Sequence, residues 1–362
     1  MNTNVVPMPF LPQRLSLVTQ TVQSLREAIR AGHWRTHLPG ERELCAHLQV
    51  SRPTLRAALE ELQRNGWLDV SDRQRRRIRA RPAASRRAQK KEIAMLSASP
   101  LLAMPSPMMF VLDVLRDKLA EAGYSTKLHV NPACFSAQPV RALDKLVRQN
   151  PSAVWLVFGS KEPMQRWFIR QQLPCVVAGS CASDVALPSV DVDFRATCRH
   201  AGGMFLRKGH RRLALVLPQD AYGGDFVSEE GLREAITAMH GAAQLRVLRH
   251  DGTTAHLCAM LDEALSSPNP PTAFLVARSP CVLTVMMHLM RAGKRIPQDV
   301  TVISRDNDPF LEFATPVVAR YAVNQAQFAR HLSMAARQLA GTGTLPAHAI
   351  RLMPKFIPGE TV

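Results

Sequence analysis

An alternation of apolar strands and helices from residue 92 onward constrains this chain more than any other feature of its sequence. The predicted strands are Ile93–Leu96, Lys127–Val130, Val154–Phe158, Cys175–Ala178, Leu213–Leu217, Leu245–Leu248, Ala273–Val276 and Val300–Ser304. The predicted helices between them are Met108–Ala122, Arg141–Gln149, Lys161–Gln172, Thr197–Lys208, Glu229–His240, His256–Ser266 and Val282–Ala292. Such alternation is typical of a mainly parallel α/β sheet with helices on both faces. This region of 271 residues exceeds one ordinary domain, so we predict two lobes.

The first 80 residues follow a different pattern, with helical spacing of the apolar residues and no long strand. The predicted elements are Ser16–Ala31, Glu41–Leu48, a helix capped by Ser51 and ended by Gly66, and two short strands at Trp67–Val70 and Arg76–Arg79. Three helices and a two-stranded ribbon indicate a winged helix-turn-helix. We assign this domain to residues 15–80, after a loose lead-in over residues 1–14.

The formal charge of +17 is concentrated in one short segment. Residues 73–91 contain ten lysines and arginines and no acidic residue, whereas residues 1–72 carry a net charge of only +1. A basic block beside a DNA-reading element favours contact with phosphate. The alternative is a solvated linker that never touches DNA. We assign residues 81–91 to this basic linker and residues 92–358 to the two-lobed region.

Composition argues against several other classes of protein. Apolar residues make up 46% of the chain, but no apolar run approaches the roughly 18 residues that span a bilayer. We see no secretory signal in the first 20 residues, so we expect a cytoplasmic protein with no membrane partner. The seven scattered cysteines form no C-x-x-C pair, and no nucleotide or catalytic motif is present. We therefore expect no enzyme activity, no cofactor and no metal.

One stretch carries a specific motif. Pro39–Leu68 reads PGERELCAHLQVSRPTLRAALEELQRNGWL and combines P-x-E-R-E-L, V-S-R-x-T-L-R and A-L-x-x-L-x-x-x-G-W. This combination resembles the GntR family of bacterial transcription regulators, and it implies a DNA-binding head. The alternative is a helical bundle whose arginines are merely solvated, which would require the whole spacing pattern to be accidental.

The candidate DNA contacts cluster at the start of the third predicted helix. Helix-turn-helix proteins bring this end of the recognition helix to the base edges, where arginine can grip guanine with two hydrogen bonds. The predicted contacts are Arg42, Ser51, Arg52, Thr54, Arg56, Arg75, Arg76 and Arg77. The wing tip, Ser71–Arg75, departs from the family, which usually has a glycine there.

Two later segments resemble the LacI-type sensor, which has the periplasmic-binding-protein fold. The first reads SVDVDF over residues 189–194, followed by GHRRLA over residues 209–214. The second reads GKRIPQDVTVISRD over residues 293–306. The resemblance implies a two-lobed α/β sensor with a small ligand between its lobes. A GntR-type head before a LacI-type sensor is the order found in arabinose-repressor-like regulators.

Ligands of open parallel sheets bind beyond the carboxyl ends of the strands. The candidate ligand contacts are Asp306, Asp193, Arg305, Arg278, Ser228 and Ser160. Asp306 and Asp193 match ligand-contacting positions of the family, with a structural role at a crossover between the lobes as the alternative for each. We expect the crossovers near Asp193, Asp306 and Pro316–Tyr321.

Departures from the family pattern bear on the ligand. Ser228 stands where the family has its ligand-gripping arginine, while Arg278 and Arg305 replace uncharged residues. An acidic ligand, such as a sugar acid or a phosphorylated sugar, would suit these two arginines. Equally, they can form salt bridges with Asp306 or Asp308.

These features predict a sequence-specific transcription regulator, a repressor controlled by a sugar or sugar derivative. We expect it to bind double-stranded DNA at an inverted-repeat operator as a homodimer, with the Met108–Ala122 helix in the dimer surface. Two alternatives stay open. The sensor could have lost its ligand, or the head could be fused to an aminotransferase-like enzyme, although no recognisable Schiff-base lysine is evident.

Overall fold

The computed structural model describes residues 16–31, 33–34, 36–64, 67–69, 76–78, 92–239 and 243–362. The chain divides into two compact units, one up to residue 88 and one from residue 89 onward. The two units are built around separate hydrophobic cores.

The N-terminal unit is a winged helix-turn-helix, as predicted. Its elements are α1 (Leu17–Ala31), α2 (Glu41–Leu48), α3 (Arg52–Arg64), β1 (Leu68–Asp69) and β2 (Arg77–Ile78). The two strands pair antiparallel, and Leu25, Leu55 and Leu62 are completely buried between the helices. The Ser51 hydroxyl accepts a hydrogen bond from the Thr54 amide at 3.4 Å, which supports the predicted cap of α3. The predicted wing tip, Ser71–Arg75, lies outside the described residues.

The C-terminal unit contains two six-stranded sheets covered by helices. Its strands are β3 (Glu92–Ser97), β4 (Ser125–Val130), β5 (Val154–Phe158), β6 (Cys175–Ala178), β7 (Ser189–Val192), β8 (Arg212–Pro218), β9 (Gln244–His250), β10 (Ala273–Val276), β11 (Thr301–Ser304), β12 (Ala319–Ala322), β13 (Ala349–Leu352) and β14 (Lys355–Ile357). Its α-helices are α4 (Ser106–Glu121), α5 (Val140–Gln149), α6 (Glu162–Arg170), α7 (Phe194–Arg207), α8 (Gly223–Ala238), α9 (Thr254–Leu265), α10 (Ser279–Arg291) and α11 (Gln325–Thr342).

Each sheet is the centre of one lobe. The first lobe has the strand order β13-β7-β6-β5-β3-β4, with α4 and α11 packed on one face and α5 and α6 on the other. The second lobe has the order β14-β12-β11-β10-β8-β9, with α7 and α8 on one face and α9 and α10 on the other. In these two sheets, the neighbouring strands that the structure describes pair parallel, except β12 and β14. No helix of the described residues is long and apolar enough to cross a membrane.

The chain crosses between the lobes after β7, after β12 and between β13 and β14. The first crossover lies at Asp193. The predicted crossover near Asp306 is wrong, because β11 and β12 are parallel neighbours in the sheet of the second lobe, so the segment between them stays within that lobe. The predicted crossover near Pro316–Tyr321 adjoins the one that the structure has after β12, which ends at Ala322.

Helices α7 and α8 approach each other unusually closely, and glycines allow it. A Cβ at Gly231 would lie 3.0 Å from the carbonyl carbon of Arg195, and a Cβ at Gly202 would lie 2.7 Å from the Cβ of Ala235. Contacts this short leave no room for a methyl group in a close-packed interior.

We predict that Gly231→Ala lowers the free energy of unfolding by about 1–3 kcal/mol, because the added methyl group pushes the two helices apart. The matched control is Gly341→Ala in α11, where a Cβ meets nothing within 4 Å. That change should be neutral or stabilising, since alanine favours helix more than glycine does. Urea unfolding checks both, and equal stability of the two variants would contradict the close packing.

Candidate functional site

The first turns of α2 and α3 form an exposed basic surface on the N-terminal unit. Arg42, Ser51, Arg52 and Arg56 are exposed there, and Thr54 is half-buried. Within the described part of the chain, neither Arg42 nor Arg52 has a salt-bridge partner. Both guanidinium groups are therefore available to an anionic or base-edge partner.

Glu41 links α3 to the ribbon, and no pattern in the sequence pointed to it. Its carboxylate accepts hydrogen bonds from the Nε of Arg56 at 2.9 Å and from an Nη of Arg76 at 3.4 Å. The contact of Arg56 with Glu41 is made through Nε, and 62% of the Arg56 side chain is exposed. Of the remaining predicted contacts, Arg75 lies outside the described residues, and Arg77 is described only by its backbone in β2.

Arg305 is the centre of the second lobe's site. It follows β11, and only 1% of its side chain is exposed. One Nη donates to Asp225 at 2.8 Å and to the Ser228 hydroxyl at 3.0 Å, and the other donates to Asp306 at 3.3 Å. The guanidinium also lies 4.3 Å from the ring centroid of Phe194, a cation–π distance. The burial of this charge is therefore fully compensated.

Arg278 forms the partly exposed side of the same cluster. Its guanidinium donates to the second oxygen of Asp225 at 2.8 Å, and its backbone amide donates to Asp306 at 2.8 Å. The residue has φ +68°, in the left-handed region that costs a non-glycine residue about 1–3 kcal/mol. The hydrogen bond from the Arg278 amide to the Asp306 carboxylate holds this strained turn between β10 and α10.

The cluster contains two guanidinium groups and two carboxylates, so its charges balance. Burial by itself would raise the pKa of Asp306, but Arg305 and Arg278 lower it below the ordinary value. Burial would likewise lower the pKa of Arg305, but Asp306 and Asp225 raise it above its ordinary value. Asp306 and Arg305 therefore stay ionised near neutral pH.

The facing wall belongs to the first lobe and is braced by Gln165. Its amide donates to the Ser160 hydroxyl and to the Ser180 carbonyl oxygen, both at 3.0 Å. The Ser180 hydroxyl in turn donates to Asp191. Burial raises the pKa of Asp191, against the opposing effect of that hydrogen bond. This wall presents polar groups that are already paired with each other.

The structure brings four of the six predicted ligand residues together: Asp306, Arg305, Arg278 and Ser228. Ser160 lies in the facing wall, and Asp193 caps α7 by accepting the Ala196 amide at 2.9 Å. The sequence offered two roles for Arg278 and Arg305, the binding of an acidic ligand or a salt bridge with a nearby acid. The structure shows the salt bridge of Arg305 with Asp306. Their shared partner Asp225 was missed, although its position three residues before Ser228 on one helix was a usable signal. The described residues contain no group of three or more metal-ligating side chains.

Two family profiles match this architecture. Residues 17–78 match bacterial regulatory proteins of the gntR family, and residues 202–362 match the periplasmic binding protein-like domain. The chain therefore joins a gntR-family helix-turn-helix to a periplasmic-binding-protein-like sensor, which confirms the fusion that the motifs predicted.

Relatives and solved structures agree with these matches. Catabolite control protein A of Staphylococcus aureus is 25% identical over 171 residues, which are 47% of this chain and 52% of that protein. The HTH-type transcriptional repressor CytR of Escherichia coli is 22% identical over 197 residues, 52% of this chain and 58% of its own. The chain thus spans little more than half the length of these relatives.

The solved structures show the same fold. The complex of the transcriptional regulator CelR with cellobiose is 19% identical, with a TM-score of 0.66, and the match covers 87% of this chain and 92% of that one. A regulatory protein of the LacI family from Chloroflexus aggregans is 18% identical, with a TM-score of 0.67, over 75% of this chain and 98% of its own.

We predict that Arg305→Met destabilises the protein by about 3–5 kcal/mol, because the change leaves Asp225 buried without its main partner. The matched control is Arg295→Met, which removes an exposed ion pair with Asp299 and should leave the stability close to that of the wild type. Urea unfolding at neutral pH measures both. Similar losses in the two variants would show that the cluster around Arg305 is not a structural centre.

Proposed function

We propose that this protein is a transcription regulator whose operator binding responds to a small molecule bound between the two lobes. One observation carries the proposal: the same chain contains a two-lobed periplasmic-binding-protein-like fold and a winged helix whose second and third helices begin with exposed arginines. Of these, Arg42 and Arg52 have no salt-bridge partner among the described residues. The names of its relatives, which are regulators, support it. We further propose a cytoplasmic repressor, because its target is DNA and one relative is named a repressor.

We propose that Arg42, Ser51, Arg52, Thr54 and Arg56 contact the operator, with the first turn of α3 in the major groove. Glu41 would hold Arg56 through its Nε and leave the two Nη groups for a guanine edge. Arg75, Arg76 and Arg77 would bind phosphate from the wing. Phosphate contacts position the domain, while the α3 contacts supply sequence preference.

The fold bears on the two alternative functions, an aminotransferase-like enzyme and a sensor without a ligand. An aminotransferase-like enzyme would need a different second domain, whereas residues 202–362 match a periplasmic-binding-protein-like domain. We therefore propose a non-enzymatic protein. A sensor without a ligand is the stronger second candidate, because Arg305 and Asp225 in the cleft already satisfy each other.

Arg52→Ala and Arg56→Ala should each reduce the preference for operator over unrelated DNA by about 1–3 kcal/mol, the value of a bidentate base contact. Thr54→Ala should cost less. The control is Arg64→Ala, in the last turn of the same helix. Competition gel shifts against a random duplex provide the measurement. Undiminished preference in both arginine variants would mean that α3 is not the recognition helix.

The paired arginines bear on the chemical class of the effector. The sequence left open whether Arg278 and Arg305 bind an acidic ligand or pair with acids of this chain. Asp225 and Asp306 already form ion pairs with them. We therefore propose a neutral, hydroxylated effector such as a sugar, with the partly exposed Asp306 accepting its hydroxyl groups. The fold neighbour solved with cellobiose is consistent with this choice.

In a thermal-shift screen, neutral sugars should raise the unfolding temperature more than the matching sugar acids or sugar phosphates do, since a ligand of the folded state stabilises it by mass action. Asp306→Ala should abolish the shift. A larger rise in unfolding temperature with a sugar acid or sugar phosphate would indicate an acidic effector instead of a neutral one. No shift from any compound would favour the sensor without a ligand.

We propose that the protein is a homodimer that binds an inverted repeat, since two-fold symmetry doubles the bases read. Exposed apolar side chains on two helices support a second copy as the partner: Phe110 on α4, and Met287 and Met290 on α10.

Phe110→Lys combined with Met287→Lys should convert a dimer into a monomer, because charged groups would be buried in the interface. Ile169→Lys, at an exposed apolar position on α6, serves as the control. Sedimentation velocity at micromolar concentration measures the mass. A monomeric wild type that keeps full operator affinity would contradict the proposal.

A further inference from the structure

The rim of the cleft is bridged by an ion pair between the lobes. Lys161 precedes α6 in the first lobe, and Asp220 follows β8 in the second, yet the Lys161 ammonium contacts the Asp220 carboxylate directly. Most of the Asp220 side chain is exposed, so this pair on its own is a weak attachment.

The start of α8 makes a much closer contact across the cleft. A Cβ at Gly223 would lie 2.8 Å from the Cβ of Ser180 and 3.1 Å from the carbonyl oxygen of Cys181, both in the first lobe. The backbone of Gly223 has no positive φ, so other residues could adopt its conformation. Glycine is therefore required here by the approach of the other lobe and not by the turn.

Tyr222 fills the space between these two contacts. Its ring lies 5.5 Å from the Lys161 ammonium and 5.6 Å from the Arg278 guanidinium, one cation from each lobe. Its backbone amide donates to Asp225 at 2.9 Å. Asp225, which also pairs with Arg305, therefore holds the backbone of Tyr222 in place beside the first lobe.

We propose that Tyr222 and Gly223, together with the Lys161–Asp220 pair, form a latch that holds the two lobes closed before an effector binds. Opening the latch widens the path to Asp306 and Arg278, whose side chains are already partly exposed. The latch therefore sets the fraction of open sensor and the rate of effector entry. It goes beyond the proposed function, and only its consequence for operator binding rests on that function.

The test uses the whole chain without DNA or sugar. It compares one variant with added bulk between the lobes, one with a reversed charge at the rim, and one in which the rim attraction is restored. Gly223→Ala places a methyl group between the lobes, Lys161→Glu makes the rim repulsive, and Lys161→Glu with Asp220→Lys restores attraction. The matched controls are Gly341→Ala, in open space, and Arg246→Glu, which breaks an exposed ion pair within the second lobe.

Hydrogen exchange followed by mass spectrometry reads the latch through peptides covering residues 180–183 and 222–226, since amide exchange reports local opening. We expect about two- to fivefold faster exchange in Lys161→Glu, recovery in the double variant, and more than about fivefold faster exchange in Gly223→Ala. The two controls should exchange at the wild-type rate in these peptides.

Unchanged exchange in folded Lys161→Glu and Gly223→Ala would overturn the latch, and so would equal acceleration in Arg246→Glu. If Gly223→Ala does not fold, the charge reversal and its rescue decide alone. Because exchange is measured on the free protein, a failure to bind any operator would refute the proposed function and leave the result on the latch intact.

Discussion

The buried ion pair between Arg305 and Asp225 is the interaction on which the sensor's cleft depends. A buried pair is tolerated only when its remaining hydrogen-bonding groups are satisfied, and Ser228 and Asp306 satisfy those of Arg305. The pair ties β11 to α8, and the ring of Phe194 adds α7. Asp225 then orients Arg278 and the backbone of Tyr222, so one carboxylate organises both the wall and the rim of the cleft.

Much of the fold follows from local sequence patterns. Strands β5, β6 and β10 have the predicted boundaries, because strands that are buried on both faces are continuous apolar runs. Strands β7, β12, β13 and β14 were missed, and the last two lie at sheet edges and carry exposed residues. Helix α11 was missed although its buried face covers the first sheet. The crossover near Asp306 was misplaced because strand order is not encoded in local periodicity.

The exposed arginines of the N-terminal unit and the cleft residues of the C-terminal unit differ in how far the sequence could predict them. Arg52 and Arg56 lie four residues apart at the start of α3, so helical spacing alone places them on one exposed face. The partners Arg305 and Asp225 are 80 residues apart, and only the tertiary fold brings them together. Their pairing changes the chemistry, because two arginines that suggested an acidic ligand are neutralised by carboxylates. The strained turn at Arg278 likewise depends on the distant Asp306.

The central claim is that the sensor controls the DNA-binding head through a shared equilibrium. Thermodynamic linkage requires that an effector which weakens operator binding is itself bound more weakly by the operator complex, by the same factor. Calorimetric titration of the sugar that gives the largest thermal shift, with and without saturating operator, tests this most directly. The account predicts two different affinities whose ratio equals the effector's effect on operator affinity. Equal affinities in the two titrations would contradict it.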